Sequence, residues 1–134
     1  MLAALVVVLA AGALVAMTFF WLGSRGGDVS GPPELIHAVE AHAYGYNGFT
    51  TLPQTKLAAA LLATDELCGI FYAYRKMNPV RYGEMKAASI KKKFKDPGFA
   101  AKIDRATIQL GCDKLGVPLD DHIANLIRFF TPLP

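Results

Sequence analysis

The chain has 134 residues, with 14 Lys/Arg against 11 Asp/Glu, a formal net charge of +3, and 53% hydrophobic side chains. Once a membrane segment is subtracted, that length leaves room for one small domain with one core. Cys68 and Cys112 have no paired spacing and read as reduced, buried thiols rather than a disulfide framework.

No charged side chain occurs from Met1 to Ser24; Arg25 is the first. Leu2 to Leu22 is twenty-one residues, about 31 Å as a helix, which matches a hydrocarbon core of roughly 30 Å. Phe19, Phe20 and Trp21 stand at its downstream end, where aromatics sit at headgroup level, with Arg25 just beyond. A cleaved signal peptide would want a positive start, an apolar run of roughly 7–15 residues and a small-residue cleavage site. This run has no preceding Lys or Arg, is longer, and ends in bulky aromatics. It reads as a retained transmembrane anchor, residues 1–24. Lys and Arg accumulate behind it, so the positive-inside rule places the N-terminus outside and the remainder in the cytoplasm, at the cytoplasmic membrane.

Residues 25–31, rich in Gly and Ser, read as a short flexible linker, and residues 32–134 as a small all-α bundle. Pro32-Pro33-Glu34 opens a helix to about Ala43. A second helix is expected after Thr51, with Pro53 near its first position, continuing to about Met77 before Asn78-Pro79 stops it. Leu57 to Tyr74 is apolar on nearly all faces, so this helix is expected to be central and buried, with Phe71, Tyr72 and Tyr74 in the core. Asp65 and Glu66 at its middle argue against a second membrane span, and a carboxylate buried there would need a partner or a cation. Met85 to Phe94 reads as a basic helix, Asp104 caps one to about Leu115 followed by Gly116, and Pro118 leads a last one to about Phe130. His122, beside two acids, is expected at the surface.

Several blocks in this stretch, taken together and in order, carry a resemblance. Pro33-Glu34-Leu35-Ile36-His37-Ala38-Val39 with His42 resembles the middle of the HD-domain metal-dependent phosphohydrolases, and Ala63-Thr64-Asp65-Glu66-Leu67-Cys68-Gly69 looks like that family's Asp-Glu-Leu-x-Gly segment. Ser89 to Asp96, Phe99-Ala100-Ala101, Asp104-Arg105 and Leu115 to Asp120 continue in the same order, so the likeness covers about Pro32 to Phe130. The family holds one or two divalent metals with a His, an adjacent His-Asp pair and a distant Asp, and a metal-bound water attacks a phosphoester. The resemblance implies that Asp65 is the distant Asp and that His42 matches an additional metal-directed histidine, both vestigial here. The chain departs from the pattern: the first His and the His-Asp pair belong upstream of Glu34, where the apolar segment stands, and no His-Asp dipeptide occurs anywhere. Asp65 and His42 alone are too few ligands for a hard divalent ion.

The expectation is therefore a truncated HD-like bundle without catalytic residues or cofactor. It would be a single-span accessory or structural subunit of a membrane protein complex, such as a respiratory or photosynthetic one. The alternative is a metal-dependent phosphohydrolase whose site is completed by a partner chain or by a missing N-terminal segment; only there is a divalent metal required. Losing the first helices should leave Leu57, Leu61 and Ile70 in need of another cover, from the same chain, a second copy or a membrane partner. Lys91, Lys92, Lys93 and Lys95 are candidates for anionic-lipid contact, with a solvated face as the plainer reading because a similar Lys-rich block belongs to the family pattern. A lipid- or nucleotide-sensing module rests only on that cluster and on the pocket inherited with the resemblance, and a nucleic-acid partner is not expected from the cluster.

Overall fold

A computed structural model describes residues 32–46 and 48–133. The anchor and linker expectations, with Phe19, Phe20, Trp21 and Arg25, lie outside the described residues. Within them the chain is all-helical: α1 (Pro33–His42), α2 (Lys56–Met77), a 3-10 turn (Tyr82–Glu84), α3 (Ala87–Lys95), α4 (Arg105–Leu115) and α5 (Leu119–Phe130), with no strand among the described residues.

Local chemistry sets most of these boundaries. Pro33 occupies the first position of α1, where its missing N–H costs nothing. Thr55 caps α2 through its hydroxyl oxygen, which accepts from the Ala58 N–H at 3.1 Å. At the other end the Asn78 side-chain amide donates to the Tyr74 carbonyl at 3.1 Å, and Pro79 cannot continue the helix. Asp104 caps α4, accepting from the Ala106 and Thr107 N–H groups at 2.9 and 3.4 Å. Gly116 ends it at φ +74°, a left-handed conformation that a side chain would strain.

α2 is the centre of the bundle. It packs most extensively against α4 and α1, while α5 rests on α3 and on the 3-10 turn. Ala58 through Thr64, Leu67, Ile70 and Phe71 are buried along it. Gly111 and Gly69 admit the closest approaches, Gly111 to the α2 backbone at Ala63 and Gly69 to the Ile103 side chain. Phe71, Phe130 and Tyr82 close the far end, with ring centroids 5.8 Å apart in an edge-to-face pair and 5.5 Å apart in a tilted one.

The connection from α3 to α4 is organised by one side chain. The Arg105 guanidinium donates to the carbonyls of Phe94 (3.2 Å), Asp96 (3.2 Å), Ala100 (3.0 Å), Ile103 (2.8 Å) and Phe99. Five backbone acceptors around one cation fix a stretch without regular structure of its own, including Ala100 at φ +47°.

Several expectations need correction. α2 begins at Lys56 rather than after Thr51, because Thr55 and not Thr51 places its hydroxyl over the first turn. α3 begins at Ala87 rather than Met85, since Tyr82–Glu84 forms a separate turn closed by the Arg81 N–H donating to the Glu84 carboxylate at 3.1 Å. Tyr72 is not core but 58% exposed, and Tyr74 is only half-buried. For Leu61 and Ile70, 5% and 0% exposed, no correction is needed: of the covers expected for them, the chain itself supplies one among the described residues. One described helix, α2, is long and apolar enough to cross a membrane, with a mean hydropathy of 1.3. More than half of that window is buried inside the protein, and Asp65 and Glu66 interrupt it, which is the pattern of a core helix.

Candidate functional site

Where α1 ends, His42, Tyr44 and Tyr46 meet the middle of α2 and the start of α4 around a cavity of about 460 Å³. Its polar wall is Asp65, Glu66, Lys102 and Asp104. The two residues implied by the resemblance, His42 and Asp65, therefore line one cavity although 22 residues separate them in sequence.

The protonation chemistry of the cavity follows from its contacts. His42 Nδ1 donates to the Val39 carbonyl, which leaves Nε2 as the ring nitrogen not engaged by that bond. Asp65 is exposed, correcting the expectation of a buried carboxylate that must find a partner. Burial raises the Glu66 carboxyl above the usual range, and the Asp65 and Asp104 carboxylates add to the rise against a hydrogen bond from the Asp104 N–H. Asp104 is held low, first by the Thr107 hydroxyl, which donates to it at 2.9 Å, then by the Thr107 and Ala106 amides, with burial opposing.

These donors were tested against the divalent metals that the resemblance implies. Asp104 has both carboxylate oxygens committed to the α4 cap, and the Glu66 carboxyl accepts from the Asp104 amide. Among the described residues no three His, Cys, Asp or Glu side chains are grouped so as to hold a metal ion. His42 and Asp65 remain, short of the six or so ligands that hard divalent ions take. The described residues do not fit a metal centre by themselves.

The two cysteines are not poised as nucleophiles either. Burial pushes the Cys68 thiol up to about 12 and the Cys112 thiol up to about 11, with nearby aspartates adding to each, so both are inert thiols near neutral pH. His122, expected at the surface, is only 6% exposed, and its Nε2 lies 3.3 Å from the Thr64 hydroxyl. Burial lowers its pKa below the ordinary 6.5, against a hydrogen bond to the Ala63 backbone. This hydroxyl–imidazole pair is enclosed between α2 and α5, where it satisfies two buried polar groups.

The lysine cluster divides. Lys91 turns to Asp120 on α5, forming the one ion pair among the described residues. Lys93 lies over the Phe99 ring at 4.8 Å, and Lys92 and Lys95 are exposed. Sequence reasoning missed a second cavity of about 690 Å³, between the end of α2 and the 96–100 loop, where Tyr72, Lys76 and Met77 face Lys93. The i, i+4 spacing of Tyr72 and Lys76 was the available signal.

No family model matches this chain, and no curated protein or solved structure gives a significant match.

Proposed function

We propose that the chain is a non-catalytic, single-span accessory subunit of a membrane protein complex, with residues 1–24 as its anchor and the helical module as a cytoplasmic interaction domain of HD-like descent. The observation that carries this reading is the state of the His42–Asp65 cavity: the carboxylates that would complete a ligand set are committed to α4 and to the Asp104 amide. Support for the anchor comes from the uncharged run of Leu2 to Leu22, and for the descent from the ordered blocks between Pro33 and Asp120. Purification of the full chain from its native membrane in mild detergent tests it. The expected result is co-purification with stoichiometric membrane subunits and no hydrolysis of phosphoesters when Mg²⁺ or Mn²⁺ is added. A lone chain with stoichiometric bound metal and metal-dependent phosphoesterase activity would overturn the proposal.

A second reading is favoured by one observation, the placement of His42 and Asp65 on a single cavity. In it, a partner chain or an upstream segment supplies the remaining ligands of a phosphohydrolase. Metal that stays with the isolated complex, and is lost on Asp65→Ala, is the result it requires.

A further inference from the structure

The surface around the end of α2 combines exposed apolar groups with cations. Tyr72 and Met77 are 58% and 66% exposed, and the Lys76 ammonium stands 5.7 Å from the centre of the Tyr72 ring. Across the 690 Å³ groove, α3 contributes Lys93. At 100° per residue Lys92 stands about 100° around α3 from Lys93 and about 160° from the buried Ile90, whereas Lys95 lies one turn beyond Lys91 on the other side of the helix. Asp96 is the acid lining the groove, and its Oδ1 accepts from the Gly98 N–H at 3.0 Å. The face is thus cationic on both sides of an apolar seam.

We infer that this face, made of Tyr72, Lys76, Met77, Lys92 and Lys93, docks on the anionic headgroups of the membrane that anchors the chain. The inference rests on the proposed anchor. Charge complementarity points to phosphate-bearing lipid, and the amphipathic Tyr72 ring and exposed Met77 suit the boundary between headgroups and acyl chains. Proximity supplies the rest. The proposed anchor, in the same chain, keeps the module at that membrane. The cytoplasmic leaflet, where the positive-inside rule places the module, is the anionic one. Lys91, in contrast, is turned away to Asp120 and takes no part.

The test uses the full chain in nanodiscs of phosphatidylcholine alone, or with a third of the lipid replaced by phosphatidylglycerol, and reads lysine acetylation by mass spectrometry. In anionic discs, acetylation of Lys76, Lys92 and Lys93 is expected to slow at least about threefold and to recover in ~0.5 M salt. Lys56 and Lys114, exposed and outside the face, are expected to label equally in both discs. In the double variant Lys76→Glu/Lys93→Glu, Lys92 is expected to lose its protection at unchanged helicity. Equal labelling in both discs overturns the inference and leaves the anchor standing. A chain that fails to enter discs overturns the anchor and the inference together. Protection in neutral discs that grows with protein density assigns the face to a second copy, and protection seen only with added oligonucleotide assigns it to nucleic acid; either overturns it.

Discussion

Gly111 on α4 lies directly against Ala63 on α2: a Cβ at Gly111 would stand 2.4 Å from the Ala63 nitrogen and 2.7 Å from its Cα. The obstacle is backbone at the most extensive helix contact of the bundle, so no rotamer can relieve it. Gly111→Ala gains about 1 kcal/mol of helix propensity but forces α2 and α4 apart, and over-packing of this kind costs about 1–3 kcal/mol or more. A net loss near 2 kcal/mol is expected, about 10 °C in Tm for a domain of this size. Gly69→Ala meets the end of the Ile103 side chain at 2.7 Å and should cost less. Gly98→Ala meets only Asp96 Oδ1 at 3.4 Å and should be near neutral. Thermal melts followed by circular dichroism check the order Gly111, Gly69, Gly98.

Arg105 gives a second prediction. Its fork geometry lets one guanidinium serve five carbonyls, which a lysine ammonium with three donors cannot reproduce. Arg105→Lys is expected to cost about 2 kcal/mol and Arg105→Ala about 3 kcal/mol, because stranded carbonyls lose charged-group hydrogen bonds. Amide exchange resolved by residue locates the effect: residues 96–104 should exchange faster in Arg105→Lys while the Ala58–Thr64 stretch keeps its protection. Uniform acceleration across α2 would show instead that Arg105 supports the whole bundle.

Much of the helical order could be read from punctuation in the sequence. Pro33, Asp104, Gly116 and Pro118 each act on the backbone within one turn, so each fixed its boundary locally. Thr51 and Thr55 both qualify as caps by type, and only the fold selects Thr55. Asp65 and Tyr72 were misjudged for one shared reason. Asp65, Tyr72 and Lys76 fall at i, i+7 and i+11, a single stripe that faces solvent along an otherwise buried helix. The apolar residues around that stripe masked it. His122 was legible and missed: with Leu119, Ile123, Leu126 and Phe130 it keeps the i, i+3, i+4, i+7, i+11 spacing of the core face, and the adjacent acids masked it. The Arg105 hub left no periodic trace, because its partners are backbone carbonyls, which any sequence supplies.

His122 makes stability depend on pH. Its folded pKa lies below the ordinary 6.5, since burial disfavours the imidazolium. Above about 6.5 both folded and unfolded forms are neutral there, and its contribution is fully present. As pH falls below that value the unfolded chain takes the proton first, so stability is lost progressively toward the lower folded pKa. Denaturant midpoints are expected to fall between pH ~7 and ~5 in the wild type, and to fall less steeply in His122→Gln, which keeps hydrogen-bonding groups but does not titrate. Equal slopes would show that other groups carry the dependence.

Glu66 works with the opposite sign. Burial and the neighbouring Asp65 and Asp104 raise its folded pKa above the unfolded value, so its contribution is fully present below about 4.5 and is lost as pH rises through the folded pKa. At neutral pH the ionised carboxylate is therefore a liability of the cavity. Glu66→Gln removes the charge and keeps an oxygen that can accept from the Asp104 N–H. The variant is expected to be more stable than wild type at pH ~7, by roughly half a kcal/mol or less given the solvent screening of a partly exposed group. The advantage should vanish near pH ~4, where the wild-type side chain is neutral as well. Urea midpoints of the two proteins at both pH values decide it. A variant less stable than wild type at neutral pH would mean that the carboxylate's bond to Asp104 outweighs its repulsion, and that the cavity keeps its three acids for structural reasons.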